Sequence, residues 1–509
     1  MQPRMFVSAL IALIFLGGLA VRLKGINDYP DDFHAVRQYS AALAARAYFT
    51  LGNAGTPLWM RQVADANLRQ MVHQPEPPIM AKLAGRVYRW LGGEQLWVPR
   101  SISIFSWLFG GVFLLLIAKD LLGWDAALVA VSYYLFLPFS VEASRSLQPD
   151  PMMIMGLNLS LWSMLWYFRS PSTNRLLVSG VLAGLSILVK PGACALTIVA
   201  VFVAMLVSVK GVRRSILSGE AYGFVVLAML PSLAYLALRT ESGFSYPGLA
   251  RSFLAVRLLF TVYFWKGWAV ILIQVLGLSA LVLGLIGLLA VPRGRARTFC
   301  IAYGGAYVAQ STLLTSYTTP SHDYWHLQAI PLIAIGLGSI AVPVFSYVRE
   351  HCLVKPAAIL AVPVGLFWVI AANMPMLLQP SPSGQDAYVQ LAREIGDAVN
   401  HSTKTVVLDH NYGRPLCYFG MFSGIWWPEY DDMFAERVRG EKPLAARQRF
   451  ERDCAHCDPD YFVISRTLVE LQKQPDLSRL LFDNYPVLVR RDRYIIFDLK
   501  HPLQERKGS

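Results

Sequence analysis

Long apolar runs separated by short polar links fill the chain from Met5 to about Met376. A bilayer core takes about twenty apolar residues per helical crossing, so these runs predict a polytopic α-helical membrane protein. The expected spans are 5–22, 99–118, 125–141, 151–168, 175–189, 192–209, 219–237, 267–290, 299–315, 327–346 and 356–375, about eleven in all. Composition agrees: 55% of the 509 residues are apolar and 16% charged, against about 25% charged in an ordinary soluble domain. The first run lacks a small-residue cleavage site and has many runs after it, so it reads as a retained helix rather than a signal peptide. The net charge of +13 sits in the links between runs, which speaks for membrane orientation and against nucleic acid.

Those links fall into two sets. Lys119-Asp120, Arg169 to Arg175, Lys210 to Arg214, Arg293 to Arg297 and Arg349 to Lys355 are short and basic, which places them in the cytoplasm. Glu142 to Asp150, Lys190-Pro191, Arg239 to Lys266 and Tyr317 to His326 alternate with them. Alternation over an odd number of spans then puts the N-terminus in the cytoplasm and these links, with the C-terminal region, on the periplasmic or extracellular side. A bacterial inner membrane is the expected location.

The chain divides into a membrane region, 1–378, which includes an outer loop at 24–98, and a polar α/β domain at 379–509. Helical periodicity at 35–49 and 79–91 predicts outer helices lying along the membrane. In the tail, Ala387 to Val399 reads as a helix, and Thr405 to Leu408, Tyr461 to Ile464, Pro486 to Val489 and Tyr494 to Phe497 read as strands. Cys454 and Cys457 form a CxxC spacing with Cys417 upstream; a disulfide, free thiols and a metal site all remain open, though a second ligand pair for structural zinc is missing.

Charge near a bilayer is costly and tends to be functional. Four polar clusters fall on the outer side of the expected topology. Asp31 and Asp32, with His34 and Arg37 close by, suit proton abstraction beside an anionic substrate, or equally the capping of a helix that begins near His34. His73 and Glu76 lie in a proline-fixed segment, HQPEPP. Glu142, Arg145 and Asp150 crowd a short link, and His322, Asp323, Tyr324 and His326 precede a late run; solvated links and an interfacial aromatic belt are the plain alternatives. Arg239, Arg251, Arg257 and Lys266, with Lys190 and Arg145, form a pool of cations suited to a lipid-linked phosphate, or to ordinary snorkelling.

YPDDFHAVRQY at Tyr29 to Tyr39, the segment His73 to Gly92 followed by Val98-Pro99-Arg100-Ser101, EASRSLQPD at Glu142 to Asp150 and HDYWHL at His322 to Leu327 together resemble the integral-membrane glycosyltransferases of the C-type fold, in particular the protein O-mannosyltransferase and aminoarabinose-transferase superfamily. Two departures stand out: the family's Asp-Glu pair is Asp31-Asp32 here, and its His-x-Pro-Pro form appears as HQPEPP. The resemblance implies transfer of a sugar from a polyprenyl-phosphate carrier to a glycan, lipid or protein acceptor at the outer face, by a single inverting displacement. Asp32 or Asp31 is the expected base, with Glu142 and Asp150 as further catalytic carboxylates. The substrate-binding residues would be His34, Arg37, His73, Glu76, Arg145, Lys190, Arg239, Arg251, Arg257, Lys266, His322, Asp323, Tyr324 and His326. No cofactor is assigned; a divalent metal at the outer acidic site stays open. A transporter or flippase of a lipid-linked saccharide is the competing class, but it would carry polar groups deep within opposed spans and repeat symmetry. A nonenzymatic subunit would leave the co-sided clusters unexplained.

Overall fold

Two backbone breaks decide how the apolar runs are used. Leu137 is extended ahead of Pro138 (φ −58°, ψ 124°), as a residue before proline prefers, so Trp124–Phe136 and Pro138–Arg145 meet at 60°. Gly277 (φ +76°) takes a conformation that other residues adopt only at a cost, and Val262–Leu276 turns by 95° into Leu278–Ala290. The computed structural model describes residues 3–71, 76–238, 259–313, 320–351, 371–373, 375, 385–438, 442–454, 457–466 and 468–503.

The expected count of about eleven spans is corrected by these breaks and by length. Among the described residues four helices are long and apolar enough to cross a membrane: Trp97–Leu122, Pro191–Lys210, Gly219–Leu238 and His322–His351. Taking each bent pair as one span raises the number to six. Val7–Leu23 and Thr173–Val189 are apolar but shorter. Asp150–Arg169 is long enough, yet Asp150, Asn158, Ser160 and Ser163 dilute its apolar character, and Arg295–Leu313 is diluted in the same way. The expected span at 356–375 lies largely outside the described residues. Helices of this length and composition fit a membrane-associated protein.

The chain forms two compact units. The first comprises Met1–Asp28, His73–Ile79 and Leu96–Ser381, and its described elements are helices. Its helices meet closely at small residues: a Cβ on Gly287 would lie 1.9 Å from the Gly336 carbonyl oxygen, and one on Gly338 would lie 2.6 Å from that of Ala126. Such contacts bring backbones together where no water-driven packing operates.

The second unit comprises Tyr29–Val72, Met80–Gln95 and Pro382–Ser509. Its centre is a five-stranded sheet, β1 (Thr405–Leu408), β2 (Gly424–Trp426), β3 (Tyr461–Ser465), β4 (Val487–Arg490) and β5 (Tyr494–Asp498), in the order β2-β1-β3-β5-β4. β2, β1 and β3 are parallel, while β5 is antiparallel to β3 and β4. Alternate residues of β1 serve opposite layers: Val407 joins Leu391, Ile395 and Phe422, whereas Val406 and Leu408 join Trp427, Leu477 and Leu481. The helices Ala35–Leu51, Leu58–Gln70 and Ile79–Leu91 come from the long loop, and they dock on this α/β layer. Arg46 pairs with Glu94 at 2.7 Å and lies 3.8 Å over the Tyr418 ring. Gln70 bonds Ser423 and accepts from Arg414, and Trp59 stacks on His401 at 4.3 Å. Cys454, buried, and Cys457, exposed, are free thiols.

Candidate functional site

Pro191 opens the helix Pro191–Lys210 and holds Lys190 extended (φ −149°, ψ 85°) at the joint with Thr173–Val189. That joint lies among carboxylates and aromatic rings. Lys190 Nζ donates to Asp150 Oδ1 at 2.6 Å, with both side chains only 1% exposed, and stands 3.9 Å from Glu76 Oε1. It also sits 3.8 Å from the Trp325 ring centre and 4.7 Å from that of Tyr324. A buried cation is tolerated where ion pairing and ring faces replace water, and this cage supplies both. Asp150 is held in place as the first residue of its helix. Glu76, Asp150, Lys190 and Tyr324 are thus brought together from four separate stretches of sequence.

Other predicted polar residues of the first unit, and their neighbours, have partners of their own. Asp323 accepts from Gln274 at 3.3 Å, and buried His326 Nδ1 shares a 2.6 Å hydrogen bond with the Tyr307 hydroxyl. Both lie on the 3-10 helix Pro320–Gln328, which is kinked at His322. The Arg145 carbonyl accepts from Arg100 at 3.1 Å, and buried Arg22 donates to Ser144 Oγ at 2.7 Å. Glu142 is half-buried on Pro138–Arg145. Lys266 is exposed on the helix that also carries Gln274, about 12 Å further along. His73, Arg239, Arg251 and Arg257 lie outside the described residues.

Asp31, Asp32, His34 and Arg37 belong to the second unit. Gln38 Nε2 donates to Asp32 Oδ1 at 3.0 Å and to the Phe33 carbonyl at 2.7 Å, tying the acidic loop to the helix Ala35–Leu51. The residue that caps this helix by position is His34, left-handed (φ +49°) and without a side-chain capping bond. Asp31 lines a cavity of about 250 Å³, together with Asp409 and Arg466. Among the described residues no group of three or more His, Cys, Asp or Glu is placed to hold a metal ion.

Several of these residues escape sequence reading. Trp325 stands inside HDYWHL, where an aromatic belt explains it equally well. Gln274 and Tyr307 lie in apolar runs with no motif around them. Asp409 and Arg466 directly follow strands, and only the strand order singles them out.

Residues 76–237 match the model of the dolichyl-phosphate-mannose-protein mannosyltransferase family, a stretch that contains Glu76, Glu142, Arg145, Asp150 and Lys190. No curated protein matches the chain. Among solved structures it is similar to ArnT from Cupriavidus metallidurans bound to undecaprenyl phosphate, at 15% identity over 99% of each chain with a TM-score of 0.57. The same protein in its apo state gives 14% identity, 97% and 98% coverage and 0.55. The archaeal oligosaccharyltransferase AglB from Archaeoglobus fulgidus, in complex with an inhibitory peptide and a dolichol-phosphate, gives 12% identity, 94% of this chain, 71% of that one and 0.56. At such identities the likeness is one of fold, and the chain shares the fold of ArnT and AglB.

Proposed function

We propose that the chain is a membrane glycosyltransferase that moves a sugar from a polyprenyl-phosphate carrier to an acceptor at the outer face of the membrane. The observation that carries this reading is the buried Lys190, Asp150 and Glu76 cage at one end of the helices of the first unit, inside the stretch that matches a mannosyltransferase family. The shared fold adds support, since one of those structures holds undecaprenyl phosphate.

In the proposed reaction a carboxylate takes the proton of the acceptor hydroxyl, the acceptor oxygen bonds to the anomeric carbon, and the bond from that carbon to phosphate breaks with inversion. The carrier leaves as polyprenyl phosphate, whose charge is met by cations. Asp150 is already engaged by Lys190, which suits it to holding the ammonium in place. The base is therefore assigned to Asp31 or Asp32, and the phosphate to the pool of Arg145, Lys266, Arg239, Arg251 and Arg257. Glu142, His34, Arg37, His73, His322, Asp323, Tyr324 and His326 are assigned to positioning the substrates.

The proposed sidedness rests on helix polarity rather than on a count of spans. Arg100, Asp150, Lys190 and Asp323 stand at one end of their helices, while Lys119, Arg169, Lys210 and Arg349 stand at the opposite ends of the same helices. The basic ends are assigned to the cytoplasm.

Purified protein is incubated with a panel of polyprenyl-phosphate-linked sugars and candidate acceptors, and products are identified by mass. Transfer by the wild-type chain, reduced about 100- to 10,000-fold by Asp31→Asn or Asp32→Asn with donor binding retained, is the expected result. Near-normal transfer by both variants moves the base elsewhere, and no product from any donor removes the reading.

A further inference from the structure

The parallel part of the sheet in the second unit contains a topological switch point. The chain leaves β1 for β2 on one side and then crosses to β3 on the other, and Leu408 at the end of β1 pairs with Ile464 near the end of β3. In open sheets of this kind, ligands bind in the crevice outside the carboxyl ends of such strands. The first residue after β1 is Asp409 and the first after β3 is Arg466, and both line the cavity of about 250 Å³. Every residue around that cavity belongs to this unit.

Asp409 is 1% exposed. Its Oδ2 accepts from the Tyr388 hydroxyl at 2.9 Å, while its Oδ1 is buried and meets no hydrogen-bond donor among the described residues. A buried acceptor left without a donor is uncommon and asks for a ligand or water to supply one. Arg466 lies 3.6 Å over the Tyr388 ring and is held left-handed (φ +53°), a conformation that bulky residues adopt where the surroundings impose it.

The chemistry of the walls limits the occupant. Asp31 and Asp409 oppose an anion, and Arg466 opposes a cation. Phe419 and Tyr388 add an apolar wall, their rings perpendicular to each other. A small neutral molecule with many hydroxyls can donate to Asp409 and accept from Arg466 at once, while its carbon-bound hydrogens face the rings.

We propose that this cavity binds one neutral sugar ring of a saccharide acceptor, with Asp409 accepting from a hydroxyl and Arg466 donating to another. Binding of the ring stands apart from the transferase reading. That the ring belongs to the acceptor rests on that reading, through Asp31, which lines the same cavity and is one of the two candidate bases.

The test uses the full chain in detergent with a panel of neutral monosaccharides and their methyl glycosides, followed by saturation-transfer NMR and titration. Saturable binding is expected for at least one sugar, unaffected by a large excess of inorganic phosphate. It should weaken by about tenfold or more in Asp409→Asn and in Arg466→Gln, as for loss of a hydrogen bond to a charged group. Ala35→Phe, which fills the cavity from the side of the long-loop helix, should abolish it and provides a second route should either polar variant fold poorly. No binding to the folded wild-type protein, binding that survives all three substitutions, or displacement by phosphate overturns the proposal. Saturable sugar binding without transfer from any lipid-linked donor upholds the site and removes the transferase reading. Transfer to an acceptor that contains no sugar, at rates untouched by Ala35→Phe, does the reverse.

Discussion

Lys190 shows how much a single residue can ask of its neighbours. Its ammonium is buried with Asp150 at 2.6 Å, so removing one partner strands the other charge away from water. We expect Lys190→Met alone to cost roughly 3–5 kcal/mol of stability. In the double variant Lys190→Met with Asp150→Asn, the loss should be much smaller than the sum of the two singles. Thermal unfolding of the four proteins in matched detergent measures the coupling, and additive losses would mean that the pair does not act as a unit. Asp409 gives a second prediction, through pH. Burial pushes its carboxyl up to about 7, against the pull of the Tyr388 hydroxyl and of Arg466. The folded protein therefore keeps a proton that the unfolded chain gives up from about pH 4. The stability contribution of Asp409 falls as pH rises from about 4 to about 7 and is level above that, a swing of roughly 4 kcal/mol at most. Burial raises Glu429 and Asp432 as well, so the readout is the difference between wild type and Asp409→Asn. That difference should favour the variant progressively between about pH 4 and about pH 7, and a pH-independent difference would contradict the assignment. Neither residue group was fully legible in the sequence. Lys190 was visible as a charge beside a proline, but Trp325 at 3.8 Å comes from a stretch 135 residues away, and nothing in Asp409 or Arg466 marks them before the strands are ordered.

Helices and strands were legible where the physics is local. β1, Thr405–Leu408, coincides with the predicted strand, and the other predicted strands shift by a residue at their ends. β2, with three residues, is too short to carry a period and went unseen. The apolar runs did become helices, yet a run of hydrophobic residues says nothing of whether the helix stays straight. Pro138 and Gly277 broke two of them, and polar residues within 150–169 and 295–313 weakened two more, which is why the expected number of spans was too high. Glycine at helix crossings supplies the prediction at this scale. A methyl group at Gly287 meets the Gly336 carbonyl at 1.9 Å, whereas one at Gly305 meets nothing within 4 Å. Gly287→Ala must push two helix backbones apart, at a cost of about 1–3 kcal/mol. Gly305→Ala, within Arg295–Leu313, should be neutral or stabilise by about 0.5–1 kcal/mol. Equal unfolding midpoints for the two variants would show that the crossing is not a close one.

At the scale of the whole molecule, orientation is the property on which the proposed function depends, because an outer-face transferase must present its acidic end away from the cytoplasm. The helices of the first unit are polarised without reference to their number. The helix Trp97–Leu122 begins beside Arg100 and ends at Lys119, Asp150–Arg169 runs from acid to base, and Pro191–Lys210 runs from Lys190 to the sequence KGVRR. The basic ends are also tied to one another: Arg169 pairs with Asp120, Arg295 donates to the Phe168 carbonyl at 3.2 Å, and Arg349 pairs with Asp125 at 2.8 Å. At the other end the Asp28 carbonyl accepts from Arg100 at 3.4 Å, and the segment 29–72 that follows in sequence belongs to the second unit. The C-terminal α/β layer packs with that segment through Arg46, Gln70 and Trp59. The proposed orientation has the positive links in the cytoplasm and the C-terminal domain on the outer side. A reporter active only outside the cytoplasm, fused after Ser509, should be active, and the same reporter inserted between Lys210 and Arg214 should be silent. A cytoplasm-specific reporter should give the opposite pair. Activity of the outer reporter at both positions would break the link between basic helix ends and sidedness, and silence at Ser509 would place the C-terminal domain, with Asp31 and Asp32 of the same unit, on the face where the proposed reaction does not occur.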